Sequence, residues 1–278
     1  MKSVRLLSLS ALLLTLAASG CKKTPEAPSE PDKVVTQGVE AIKANKPANV
    51  YAMLPASYQA DVQVLVTDAT SKVDPELFEL VVKIIDKTVA ILDKHGEALA
   101  QNEMVKALPV DFKEVVALVK EFHGILKDSG LTSYDKLKGL QLAEFLSDHG
   151  EKFMAFSTKV AKKFGGEDYA GGMKRLDSVT AKTLSTEGDK AEVEITADGK
   201  TEKSTFVKVE GKWIPEEMSK GWKPMIASAK TGVASGMEQV SKNKEQAKKT
   251  LEQVLAALDE VEKDGKLDPL MKMGSMLK

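Results

Sequence analysis

The sequence predicts an α+β protein that is mostly helical, with a helical layer packed on a small antiparallel sheet of about four strands and a long C-terminal helix after it. Three observations carry this expectation. Apolar residues recur at helical spacing from Lys33 to about Arg175. Between residues 176 and 215 the period changes to two, with turn dipeptides between the runs. Beyond Pro215 the helical period returns. Aromatic residues are only 5% of the chain, which favours helix packing over an aromatic-rich sandwich.

The elements follow in order. A first helix is expected from Lys33 to Asn45, with Val35, Val39 and Ile42 on one face, and a short piece, NVYAML, ends at Pro55. Val62, Leu65, Val66 and Ala69 then recur at helical spacing. Asp74-Pro75-Glu76 is a strong helix start, with an N-cap carboxylate, proline in the first turn and an acid at the positive end of the dipole. The helix it opens (LFELVVKIIDKTVAIL) is very apolar, yet Lys83, Asp86 and Lys87 mark it as buried in protein and not in a membrane. Asn102 to Pro109 is a break. Asp111 opens a helix whose Phe112, Val115, Val116, Val119, Phe122 and Ile125 form a core face, closed by Ser129-Gly130. Tyr134 to Phe164 reads as helix with a break near Gly150; Gly165-Gly166 ends it and Gly171-Gly172 loosens the chain beyond.

A strand is expected over Ser178 to Leu184, a turn at Glu187-Gly188-Asp189, and a half-buried strand at AEVEITA, where apolar and acidic residues alternate. Asp198-Gly199 is the strongest hairpin signal in the chain. Thr205 to Val209 and Lys212-Trp213-Ile214 complete the meander, which needs a helical layer against one face. After Pro215 a seam recurs at spacings of three and four: Met237, Val240, Lys244, Ala247, Leu251, Val254, Leu258 and Val261, broken only by Lys244. Such a seam either packs on its own domain or meets a partner helix or a second copy.

The first 20 residues have another character. Lys2 and Arg5 precede the apolar run LLSLSALLLTL, and small residues lead to Cys21, the single cysteine. The run is too short for a permanent membrane span. The stretch Ala18-Ser19-Gly20-Cys21 resembles the lipobox of bacterial lipoproteins. That resemblance implies a diacylglycerol on the Cys21 thiol, cleavage before Cys21, and acylation of the new N-terminus. Each buried CH₂ contributes about 0.8 kcal/mol, so two or three chains anchor durably where one does not. Lys22 and Lys23 stand where aspartate commonly retains Gram-negative lipoproteins in the inner membrane, so the resemblance further implies the outer membrane, facing the periplasm. The expected organisation is a signal peptide (1–20), an acylated cysteine and proline-rich tether (21–32), a helical plus β-meander domain (33–215) and a C-terminal helical extension (216–278).

Removal of Lys2 and Arg5 leaves 38 basic against 41 acidic residues. No strong field of one sign remains to attract nucleic acid. With Cys21 acylated, disulfide, thiolate and cysteine–metal chemistry are all excluded. His95, His123 and His149 each precede glycine. No two lie one or two helical turns apart, so capping of helix C-termini is expected of them and not metal binding. No nucleophile elbow, phosphate loop or dinucleotide fingerprint occurs, and no cofactor is expected. Trp213 and Trp222 either line a ligand groove or fill the core.

Residues 34–59 (VVTQGVEAIKANKPANVYAMLPASYQ) and 188–215 (GDKAEVEIT…TFVKVEGKWIP) together resemble small extracytoplasmic domains of the nuclear-transport-factor-2-like, cystatin-like type. That resemblance implies helices packed into a curved sheet around a cone-shaped pocket. About 120 helical residues intervene here, a large departure, and no functional residue transfers. The expected function is a membrane-anchored envelope lipoprotein, a non-catalytic module that binds a small-molecule or peptide ligand between sheet and helices. The alternative is an assembly protein acting through its C-terminal seam.

Overall fold

The computed structural model describes residues 26–107 and 109–276. The expected signal peptide, Cys21 and the first part of the expected tether lie outside the described residues. The chain is α+β and mostly helical, as expected. One antiparallel sheet, β1 (Thr180–Glu187), β2 (Lys190–Ala197), β3 (Lys200–Val209) and β4 (Lys212–Pro215), runs in sequence order. Two of its turns place both central residues at positive φ. Asp198 and Gly199 lie at 51° and 70°, and Glu210 and Gly211 at 51° and 79°, the requirement of a type I′ hairpin. A bulge between Thr183 and Ser185 sets Leu184 aside on the edge strand.

Helix α1 (Pro31–Lys43) covers one face of the sheet. Val34 and Val35 pack there on Ala191, Val193, Phe206 and Trp213. Packing therefore extends into the stretch expected to be tether. Pro28 is buried, Trp213 Nε1 donates to the Ser29 carbonyl at 3.0 Å, and Thr183 Oγ1 donates to Asp32 Oδ1 at 2.8 Å. The cause is local: Pro31 is preorganised for the first helical turn, and a buried indole N–H requires an acceptor.

The other face of β3 and β4 is covered by α3 (Ala56–Ser71) and α11 (Glu216–Lys242). Tyr58, Ile214, Trp222 and Ile226 form this core, and the Tyr58 and Trp222 rings stack at 4.0 Å. The β3–β4 turn also fastens the junction between α2 (Pro47–Ala52) and α3. Glu210 accepts from the Ser57 amide at 3.0 Å, and Lys212 Nζ donates to the Ala52 and Leu54 carbonyls at 2.6 and 2.8 Å. Both satisfy helix-end groups that have no intrahelical partner.

A third core joins α4 (Pro75–Ala100) to α12 (Lys244–Asp264). Ile91 and Leu99 meet Leu258 and Val261, the last with no exposed surface. Asp74 caps α4 as expected, accepting from the Leu77 amide at 3.1 Å. The two helices run parallel. Lys244 and Lys248 reach Asp74 and Glu76 at one end, and Lys87 reaches Asp259 and Glu262 further along. A parallel return needs a long connection. At about 1.5 Å per residue, the 27 residues of α11 supply roughly 40 Å. Helices α11 and α12 thus share cores with the rest of the body.

Between these lie α5 (Glu103–Lys106), α6 (Phe112–Ser129), α7 (Tyr134–Lys138), α8 (Leu142–Asp148), α9 (Gly150–Phe164) and α10 (Gly166–Asp177), with α13 (Asp268–Met276) last. Gly171-Gly172 does not loosen the chain but sits inside α10, since a helix interior tolerates glycine at about 1 kcal/mol each. Asp111 and Gly130 cap α6 as the sequence predicts, Gly130 at φ 74°.

Candidate functional site

Between the sheet and α1 the expected pocket is filled. Ala191, Val193, Phe206 and Trp213 close it against α1. Trp213 and Trp222 are 3% and 4% exposed and serve the cores, with Trp222 Nε1 donating to Asp61 Oδ2 at 2.8 Å.

The C-terminal seam is divided. Asn243 separates α11 from α12, leaving Met237 and Val240 on one helix and Ala247, Leu251, Val254, Leu258 and Val261 on the other. The break has a cause. Lys244, the residue that interrupts the apolar pattern, must reach Asp74 at 2.8 Å and Glu76 at 3.2 Å to open the parallel pairing. From Val254 to Val261 the seam packs on α4, while Val240 is 47% exposed.

Of the three histidines only His149 ends its own helix, as the C-cap of α8. His95-Gly96 and His123-Gly124 lie inside α4 and α6, and Gly150 opens α9. Beyond the first pair Leu99 is buried against α12, so α4 continues past Gly96. His95 instead serves a different helix end. Its Nε2 donates to the Glu262 carbonyl at 2.8 Å, beside Gly265, the left-handed cap of α12. His123 Nε2 donates to Asp86 Oδ1 at 2.6 Å. Among the described residues no group of three or more His, Cys, Asp or Glu side chains is placed to hold a metal.

The site that the sequence did not single out is a cleft among α4, α6 and α9. It has a volume of about 380 Å³. Ile85 and Thr88 of α4 form its floor. Val115, Leu118, Val119, Phe122 and Leu126 of α6 form one wall, and Phe156, Val160 and Phe164 of α9 form the other. The face expected to be core thus lines an opening: of all residues in α6 and α9 only Leu118 and Gly150 are buried. Phe122 is 38% exposed and Phe164 is 46% exposed. Phe122 stacks on Phe156 at 5.1 Å and meets Phe153 edge-on at 6.3 Å, which holds the aromatic wall rigid.

Charge fastens the rim. Glu114, Glu121 and Asp128 of α6, seven residues apart, pair with Lys163, Lys159 and Lys152 of the antiparallel α9. Towards α4, Lys120 pairs with Asp93, and His123 and Lys127 share Asp86. The His123 hydrogen bond, aided by Lys127, holds the Asp86 carboxyl below its ordinary range. The two polar side chains in the lining also have partners: Thr88 Oγ1 donates to its own helix at Ile84 O, 2.8 Å, and His123 to Asp86. A hydrogen-bonding ligand therefore gains little along this lining, and an apolar one gains the transfer of its surface from water, about 25 cal/mol per Å².

A larger hollow, about 660 Å³, lies at the β2–β3 tip near Arg175, Asp198, Glu202 and Glu216. Within it Arg175 pairs with Asp198, and Glu216 pairs with Lys190 and Lys220, all in open contact with solvent. Exposed pairs of this kind contribute little.

No helix of the described residues is long and apolar enough to cross a membrane. No protein family, no curated protein and no solved structure matches this chain.

Proposed function

We propose that the chain is a lipid-anchored extracytoplasmic binding protein, held at a membrane through Cys21 and taking an apolar ligand into the α4–α6–α9 cleft. The lipobox-like Ala18-Ser19-Gly20-Cys21 after the apolar run supports the anchor. Lys22 and Lys23 favour the outer membrane, facing the periplasm. The observation that carries the binding role is the cleft, which leaves aromatic and aliphatic surface unfilled between helices tied together by ion pairs at its rim. Pockets for small ligands have this make-up and this scale, about 300–1,000 Å³. Binding is favoured over assembly through the C-terminal seam because α4 already covers the apolar half of that seam.

Two measurements test the proposal. Cys21→Ser moves the protein from the membrane fraction to the soluble one; an unchanged membrane fraction contradicts the anchor. The full chain with Cys21→Ser, purified without detergent, binds N-phenyl-1-naphthylamine saturably with enhanced fluorescence. Val119→Trp, which fills the cleft, abolishes the signal. Failure to bind the dye contradicts the ligand site.

A further inference from the structure

We infer that the natural occupant of the cleft is a single unbranched hydrocarbon chain, the acyl chain of a fatty acid, lying lengthwise along α6 with its carboxylate in solvent. This inference rests on the reading of the cleft as a ligand site. It follows first from dimensions. From Val115 to Leu126 the lining runs roughly 17 Å at about 1.5 Å per residue, an elongated and almost wholly apolar strip suited to a linear hydrocarbon. The length also matches: half the hydrocarbon thickness of a bilayer, about 15 Å, is the reach of one ordered acyl chain.

Continuity along α4 supports a linear guest. A second apolar space of about 140 Å³ lies further along the same helix, among Ile91, Leu92, Phe112, Leu258 and Leu267. Thr88 lines both spaces. Its hydroxyl is spent on Ile84, so it offers a methyl group at the junction. A chain longer than the first space thus has an apolar continuation towards α13.

Charge gives the third reason. At the rim, lysines 120, 127, 152, 159 and 163 pair with Asp93, Asp86, Asp128, Glu121 and Glu114, and His123 also binds Asp86. These pairs leave an ionic headgroup little to bind inside the cleft. The headgroup stays outside, and affinity comes from the tail.

The test is equilibrium dialysis of radiolabelled palmitate, below its micelle concentration, against the full chain with Cys21→Ser. Uptake saturates near about one palmitate per chain, and palmitate displaces bound N-phenyl-1-naphthylamine. Val119→Trp and Val160→Trp fill the cleft from α6 and from α9, and each weakens uptake about tenfold or more with helical circular dichroism unchanged. Absence of saturable uptake overturns the inference. So does uptake unaffected by both substitutions, or binding of an amphipathic helical peptide in place of palmitate. If the dye binds and palmitate fails to displace it, the acyl inference falls and the binding site stands. If neither binds, both fall.

Discussion

Replacing Gly265 by alanine probes the docking of α12 on α4. Gly265 caps α12 at φ 73°, and its amide donates to the Val261 carbonyl at 2.8 Å. A non-glycine residue in the left-handed region costs about 1–2 kcal/mol. The new Cβ would also stand 2.8 Å from Nδ1 and 3.1 Å from Cγ of His95. These atoms lie near the root of the side chain, so the ring must move as a whole. Its movement breaks the hydrogen bond from Nε2 to the Glu262 carbonyl, worth about 1 kcal/mol. The sum is about 2–3 kcal/mol, which at this chain length lowers Tm by about 4–10 °C. The assay is thermal unfolding of Gly265→Ala, His95→Ala and the double variant. His95→Ala removes both the bond and the obstacle, so the two substitutions are not additive. The double variant costs less than the sum by about 1 kcal/mol. A Tm loss under about 2 °C for Gly265→Ala, or additivity within about 0.3 kcal/mol, refutes this account of the α12 terminus.

Three further outcomes are expected. Leu258→Lys places a charge in the α4–α12 core and destabilises by about 3–5 kcal/mol, whereas Val240→Lys, on the exposed half of the former seam, stays within about 0.5 kcal/mol; urea unfolding separates them. Trp222→Phe removes the N–H that Asp61 accepts and lowers stability by about 2 kcal/mol in the same assay. Stability has a plateau in pH with two edges. The carboxyls of Asp74, Asp86 and Glu262 are held below their ordinary range, by Lys244, His123 and Lys87 foremost. Their contribution is present above the unfolded values, about 4, and is lost as pH falls through the lower folded ones. Lys87, raised by Asp259 and then Glu262, contributes fully below the ordinary lysine value, about 10.4, and loses its contribution as pH rises through the folded one. Tm measured across pH shows both edges; a monotonic profile contradicts these assignments.

Local chemistry made the elements legible. Asp74-Pro75, Asp111, Gly130 and Asp198-Gly199 each satisfy a backbone requirement within a few residues, so their positions follow from sequence. The change of period at residue 176 likewise placed the sheet, because alternation along a strand is a local pattern. Features that required distant partners were not legible. Gly96 and Gly124 look like caps, yet the left-handed glycine beside a histidine is Gly265, 170 positions after His95. The seam from Met237 to Val261 reads as one helix, and only the pull of Asp74 and Glu76 on Lys244 explains its division. The apolar stripe of α6 is real, but periodicity does not distinguish a face that is covered from one that lines a cleft. The signal available was indirect: α6 places acids at 114, 121 and 128, and α9 places lysines at 152, 159 and 163, a spacing suited to antiparallel pairing. Helices joined by charge at the rim need less apolar contact between them.

The most direct measurement of the central claim is fluorine NMR of the chain with all eight phenylalanines replaced by fluorophenylalanine, titrated with palmitate. Phe122, Phe156 and Phe164 line the cleft, whereas Phe206 lies buried in the sheet core. The account predicts that the resonances of Phe122, Phe156 and Phe164 shift together and saturate, while that of Phe206 stays in place. Shifts centred on Phe206, or none at saturating palmitate, would contradict it.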